Sequence, residues 1–313
     1  MMLKKDNIYK KIQNLLLNGK LSFNFNLASY TWLKAGGNAD IFFIPEDIND
    51  LTRFLKSIKN NLSFYVLGAG SNTLFRDFGF EGAVIKLSKN FDYVKFINDQ
   101  EFKVGAATNC IKLARFLAKN YATGLEFFSS IPGSIGGAIK MNAGAYGYET
   151  SKFLTKIKLL DSKDGKVKEI LSKDYKMQYR QTSFPDEYIF LEATFKYKKN
   201  DNTSENLKKI NELVLKRELT QPIQEKTSGS TFKNPKRRKA WKLIQESGCK
   251  NYKLGKAYLS SIHSNFIINR GGATSNDIEK LGEKIINKVH QKFGIKLTWE
   301  IKIIGRKGLC QND

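Results

Sequence analysis

IPGSIGGAIKMNAGAYG, residues 131–147, interrupts a chain that otherwise alternates strand-like and helix-like patterns. Glycine has no Cβ, so a Gly-rich segment lets backbone amides come close to a polyanion or a ring edge. Gly packed this densely beside Pro132 is expected to form a loop and no regular element. A second such stretch, VLGAGSNTLFRD at 66–77, runs from an apolar strand into Gly68, Ala69, Gly70, Ser71, Asn72 and Thr73. It fails as a Rossmann fingerprint, because the third Gly is missing and Leu74 to Phe80 carries no helical period. Taken singly, each stretch also reads as a plain turn or a buried loop of small residues. Two in one chain favour a pyrophosphate-containing cofactor, and a dinucleotide such as FAD suits them.

Upstream of these loops, Asp47 is placed to cap a helix in which Ile48, Leu51, Phe54, Leu55 and Ile58 recur at helical spacing. FYVLG and GAVIKL read as strands, and YVKFI and EFKVGAA as a hairpin turning at Asn98 to Gln100. Thr108 is expected to open a further helix with Ile111, Ala114, Leu117, Ala118 and Tyr121 on one face, stopped near Gly124. Downstream, TKIKLLDSKDGKVKEIL is a hairpin with Asp164-Gly165 at its turn, and YIFLEATFKYK a strand. The polar run KKNDNTSEN precedes the helical pattern LKKINELVLKREL, placing a domain boundary near residue 204. A last helix over 276–293 is capped by Thr274 or Ser275, lined by Ile278, Leu281, Ile285, Val289 and Phe293, and stopped by Gly294. Without repeats or regular βαβ alternation, the fold class is α+β.

Three further segments carry chemistry. In YRQTSF (179–184), Arg180 offers a rigid donor fork for a carboxylate or a carbonyl, or is a surface Arg at a strand end. In SGSTFKNP (228–235), Ser230, Lys233 and Asn234 put hydroxyl, ammonium and amide on one short loop suited to an anionic substrate. Glu300 alternates with apolar neighbours in the strand-like TWEIKIIG, facing a cleft or solvent. His263 in SSIHSNFIIN reads as a structural hydrogen-bonding residue, and His290 as an exposed one; two His give no basis for a metal site.

With 313 residues, 41% of them hydrophobic and including 22 Phe and 13 Tyr, the chain can fill two or three cores without staples. Cys110, Cys249 and Cys310 are odd in number and never form CxxC, so they read as reduced thiols. The charged N-terminal segment MMLKKDNIYKKIQNLLLNGK lacks a signal-peptide core and no run is long enough to span a membrane, which points to the cytoplasm and to no membrane partner. A formal net charge of +23 raises the alternative of a basic nucleic-acid-binding protein. The basic residues are mostly scattered Lys, however, and the one cluster, Lys236 to Lys239, reads as a solvated loop or helix start; no nucleic acid partner is expected.

Taken in order, LGAGSN, IPGSIGGAI with MNAGAYG, YRQTSF, GSTFKNP, HSNFIIN and WEIKIIG resemble the UDP-N-acetylenolpyruvoylglucosamine reductase family, over residues 30 to 305. The resemblance implies an FAD-binding region of the vanillyl-alcohol-oxidase type in two α+β parts, 1–88 and 89–203, followed by a substrate domain, 204–313. It implies FAD held by Gly68 to Thr73, by Ile131, Pro132, Gly133, Ser134, Gly136 and Gly137, and by Asn142, Ala143 and Gly144. NADPH would be the hydride donor and a UDP-sugar the substrate, with Lys233 and Asn234 binding it, Arg180 and a protonated Glu300 stabilising an enolate, and Ser230 acting as general acid. The protein would be a monomer or weak oligomer in the cytoplasm, acting in peptidoglycan precursor synthesis; another FAD-dependent oxidoreductase of the same fold is the alternative. Departures from the family pattern are Ser130 where Gly is expected, Lys140 where an apolar residue is usual, and Lys34 in place of Arg in TWLKAGG. Only 49 residues lie between Arg180 and Ser230, which favours the subtype without an extra Tyr-bearing loop.

Overall fold

The capping signals place the helices at 48–58 and 275–293 as expected. In the computed structural model, which describes residues 9–59 and 61–308, the Asp47 carboxylate accepts the Asp50 amide and opens α1 (Ile48–Ile58), burying Leu51, Phe54, Leu55 and Ile58. Residues 1–8 of the charged N-terminal segment, and Cys310, lie outside the described residues.

In α2 (Cys110–Lys119) the cap is Asn109, whose side chain accepts the Lys112 amide, and not Thr108. The buried face runs 110, 113, 114, 117 and 118, a helical period that starts at Cys110. Ile111 is only half-buried, and Tyr121 lies past the helix end with a φ of 61°. The expectation of irregular backbone throughout 131–147 is also corrected: Ile135–Met141 is a short helix, α3, with Ser134 capping the Gly137 amide. Ile135, Ala138 and Ile139 sit one turn apart and are buried, and that apolar stripe outweighs the weak helix preference of Gly136 and Gly137.

Three further helices follow, α4 (Thr203–Thr220), α5 (Ala240–Glu246) and α6 (Ser275–Phe293). The last carries a complete capping box between Thr274 and Asp277 and ends at Gly294 with a φ of 67°, as the sequence predicts. Among the described residues no helix is long and apolar enough to cross a membrane.

A four-stranded sheet is ordered Lys20–Asn26, Asn38–Ile44, Phe80–Ile85, Phe64–Val66. A five-stranded antiparallel sheet is ordered Lys166–Leu171, Leu154–Asp161, Tyr188–Lys196, Glu101–Gly105, Val94–Phe96, and both expected hairpins lie in it. Gly165 supplies the left-handed turn of the first, with a φ of 69°. Smaller sheets join Ala257–Leu259 to Ile267–Asn269, and Thr73–Phe75 in parallel to Lys302–Ile304.

The chain forms two compact units. One contains the described residues up to Phe23, Ile41–Ala69 and Gly82–Leu215; the other contains Asn24–Asp40, Gly70–Glu81 and the chain from Lys216 onward. The first unit has two cores, one around Ile41, Phe43, Leu51, Phe54 and Ile85, the other around Phe102, Leu113, Phe128, Ile157 and Phe195. The second has one core, in which Leu33, Leu74, Phe232, Leu243, Ile267 and Leu281 meet. Strands and helices mixed without regular alternation make this an α+β fold.

Candidate active site

In the first unit the two Gly-rich stretches meet. A Cβ on Gly68 would stand 2.6 Å from the Ser134 hydroxyl and 3.9 Å from the Gly137 Cα, so the end of VLGA lies directly on the capped start of α3. The Lys86 ammonium donates to the Gly68 carbonyl at 2.8 Å, and burial lowers its pKa. The Gly133 carbonyl accepts the Cys110 amide, while the amides of Ile135 and Gly136 donate to Thr108 and Ala106, fastening the IPG loop to the strand and helix beneath it. Ile131 and Pro132 are half-buried there. The hydroxyls of Ser129 and Ser130 are buried in this segment with no hydrogen-bond partner.

Asn142 ends α3 in the left-handed region, with a φ of 42°, and is fully buried. Its amide group donates to Glu149 and to the Gln178 carbonyl and accepts the Ser151 amide, so its side chain is engaged in holding loops together. Ala143 donates to the Ala138 carbonyl, and the Gly144 carbonyl accepts the Arg180 guanidinium at 2.9 Å. Arg180 is the second residue of a two-residue turn between Met177–Gln178 and Gln181–Thr182, with a φ of 55°. That conformation costs a side-chain-bearing residue about 1–2 kcal/mol and is more often found at Gly or Asn. Tyr179 lies under the guanidinium, 5.0 Å from carbon to ring centre.

The second unit holds the remainder of the candidate residues. Gly70 has a φ of 70°, and a Cβ there would meet the Tyr30 carbonyl at 2.0 Å, so only glycine fits this turn. Half-buried Ser71 follows it, then Asn72, whose side chain donates to the Glu300 carbonyl at 3.1 Å; Thr73 begins the strand that pairs with Lys302. Glu300 lies outside a named strand: residues 231–233 and 298–300 form a bridge, with the Glu300 amide on the Thr231 carbonyl at 2.9 Å and the Lys233 amide on the Thr298 carbonyl at 2.8 Å. That pairing brings the segments carrying Ser230 and Glu300 side by side, both residues half-buried. Asn234 is exposed and its side chain accepts the Ala240 amide at 2.9 Å, closing the KRRK loop onto α5. Residues 236–239 are all exposed, as read from the sequence.

Sequence reasoning missed the residues that hold these segments. The Asn265 side chain accepts the Phe232 amide at 3.0 Å and donates to its carbonyl at 2.8 Å, while the Asn265 backbone carbonyl takes the Thr231 amide. Trp299 packs on Phe232 at 5.0 Å and on bare Gly282 of α6, where a Cβ would stand 2.0 Å from the indole. Lys86 likewise gave no signal, as one of many lysines. An Asn amid the apolar run NFIIN was the available hint for Asn265, since a polar side chain in a core strand must be hydrogen-bonded.

Stacked glycine turns, an adjacent ammonium and two unpartnered buried hydroxyls fit an anionic, ring-bearing cofactor, and the first unit has the build of an FAD-binding oxidoreductase. The family described as FAD binding domain matches residues 39–171, and that described as UDP-N-acetylenolpyruvoylglucosamine reductase, C-terminal domain, matches 221–304. Reductases of that name from Rickettsia bellii and Rickettsia conorii are 42% and 44% identical over 93% of this chain, spanning 96% and 98% of those proteins. The crystal structure of the enzyme from Thermus caldophilus superposes with a TM-score of 0.80 at 29% identity, covering 92% of this chain and 100% of that one. The chain belongs to the UDP-N-acetylenolpyruvoylglucosamine reductase family, whose members are FAD- and NADPH-using oxidoreductases of peptidoglycan precursor synthesis.

Proposed function

We propose that this chain reduces the enolpyruvyl ether of UDP-N-acetylglucosamine enolpyruvate to UDP-N-acetylmuramate, in the cytoplasm and as a monomer or weak oligomer. The observation that carries this reading is the bridge between residues 231–233 and 298–300, which brings the segments carrying the Ser230 hydroxyl and the Glu300 carboxyl side by side. FAD, once bound and reduced by NADPH, would supply the hydride that the terminal enolpyruvyl carbon takes up. Residues 1–88 and 89–203 would hold it, through Gly68 to Thr73, Ile131 to Ser134, Gly136, Gly137, Ala143 and Gly144, with Asn142 fixing the loop from beneath.

Negative charge then spreads toward the substrate carboxylate. The Arg180 fork and a protonated Glu300 donate to it; losing one such donor typically costs about a hundred- to a thousandfold in rate. The Ser230 hydroxyl gives its proton to the second enolpyruvyl carbon, a carbon basic enough to take it, and regains one from solvent. Such proton delivery is worth about a hundred- to ten-thousandfold. Residues 204–313 hold the UDP-sugar, with Lys233 meeting its phosphates and Asn234 shaping the loop around them.

The test separates the two half-reactions. Under anaerobic conditions, Ser230→Ala should let NADPH bleach the flavin band at the normal rate, yet delay its return by at least about a hundredfold when substrate is added. Equal slowing of both halves would overturn the assignment.

A further inference from the structure

We propose that Lys140, which stands where the family pattern leads one to expect an apolar side chain, is a positioning residue for Arg180. The inference rests on the reading of Arg180 as an enolate donor. An ammonium has three donors and no acceptor. Lys140 places all three: on the Phe184 carbonyl at 3.1 Å, the Pro185 carbonyl at 3.3 Å and the Asp186 carboxylate at 2.8 Å. Its own backbone carbonyl accepts the Thr182 hydroxyl at 2.9 Å. One residue of α3 therefore grips the outgoing arm of the Arg180 hairpin at four points.

The incoming arm is gripped one helical step further on, where Asn142 donates to the Gln178 carbonyl. The tip is tied to Gly144 by Arg180 itself. This hairpin is short, with ladder pairs at Met177–Thr182 and Gln178–Gln181 and a Lys176–Ser183 pair at its base, and carries Arg180 in the left-handed region. A two-stranded ribbon so short is not stable alone in water. Its geometry, and so the aim of the guanidinium, is imposed by these ties to the cofactor loop. With the Lys140 ammonium removed, the outgoing arm keeps the Thr182 bond, the Ser183–Lys176 pair and the buried Phe184 ring but loses the ties on the Phe184 and Pro185 carbonyls, and the strained turn can relax and swing Arg180 off the substrate.

The four points are unequal. Asp186 is 96% exposed, so its ion pair with Lys140 contributes little. The two backbone carbonyls carry the grip, and any side chain without donors forfeits them.

The experiment compares Lys140→Met, Lys140→Arg, Asp186→Asn and Arg180→Lys as full-length flavoproteins in anaerobic half-reactions. Lys140→Met should bind FAD and be reduced by NADPH as wild type, with re-oxidation by the enolpyruvyl substrate slowed at least tenfold at saturation and half-saturation changed less than threefold. Lys140→Arg, whose fork reaches the same carbonyls, should recover most of the rate, and Asp186→Asn should match wild type. Re-oxidation by Lys140→Met at the wild-type rate, while Arg180→Lys is slow, would overturn the positioning role. If Arg180→Lys also re-oxidises normally, it is the reading of Arg180 that fails. Should Lys140→Met lose flavin altogether, the rate recovered by Lys140→Arg and that kept by Asp186→Asn decide: slow re-oxidation in a flavin-loaded Lys140→Arg would equally overturn the proposal.

Discussion

The two units place their proposed functional groups by different means. In the first, Arg180 and the Gly-rich loop are held by side chains reaching to backbone: Lys140 to the Phe184 and Pro185 carbonyls, Asn142 to Gln178, Lys86 to Gly68. In the second, Ser230 and Glu300 are set by a backbone bridge that one buried amide, Asn265, and one wedged indole, Trp299, keep in register. A side-chain tether fails locally when its residue changes. A packed bridge shares its load, but a change of volume beneath it moves everything at once.

That contrast is broken most strongly at glycines packed against each kind of anchor. Gly282→Ala puts a Cβ within 2.0–2.9 Å of three atoms of the rigid Trp299 ring, so the indole must leave its seat and take the bridged segment carrying Glu300 with it. Overpacking of this kind costs about 3 kcal/mol, read as a lowered urea midpoint, and re-oxidation of the flavin by substrate should fall with it. Gly136→Ala, in the first unit, meets Ala106 at 3.3 Å, where a shift of a few tenths of an ångström relieves the contact. Its midpoint should drop by about 1 kcal/mol or less. Equal losses at both sites would remove the distinction between the two architectures.

How much of this was legible beforehand follows the same division. Periodicity and caps fix α1 and α6, and Asp164-Gly165 fixes its hairpin, because those signals are local. The α3 helix was hidden because Gly density outweighs a three-residue stripe in any window, although Ile135, Ala138 and Ile139 were already at helical spacing. The shift of the α2 cap from Thr108 to Asn109 is a choice between adjacent capping residues that only the fold decides, since the Thr108 hydroxyl donates to the Tyr93 carbonyl at 3.4 Å while the Asn109 side chain takes the Lys112 amide. Ser230, Glu300 and Arg180 were picked out by residue type and by resemblance. Their surroundings were not, because Gly282 and Trp299 meet across 17 residues of chain and nothing in either local pattern announces it.

A smaller break tests the amide that keeps the bridge in register. Asn265→Ala leaves the amide and carbonyl of fully buried Phe232 without partners, at about 1–3 kcal/mol for each unpaired group that water does not reach. We expect a destabilisation of about 2 kcal/mol in urea together with slower re-oxidation, while reduction by NADPH stays near the wild-type rate. If both half-reactions slow alike, Asn265 supports the fold in general and has no particular hold on Ser230.

The smallest expected effect sharpens the comparison through pH. His263 Nδ1 accepts the Asn265 amide at 3.2 Å, and its ring packs edge-on to Phe266 at 4.8 Å, so the bridge of the second unit leans on an imidazole nitrogen that must stay unprotonated. Burial lowers the His263 pKa below its ordinary value. Between that lowered value and about 6.5 the unfolded chain holds more proton on this residue than the folded one. The stability contributed is therefore complete above about 6.5 and lost as pH falls through the window. Urea midpoints of wild type and His263→Gln, whose side-chain oxygen accepts without titrating, should differ in pH dependence. Wild type should lose up to about 1 kcal/mol more than the variant between about pH 7.5 and about pH 5.5. Parallel curves would mean that the hydrogen bond to Asn265 survives protonation, and that the register of the bridge does not depend on it.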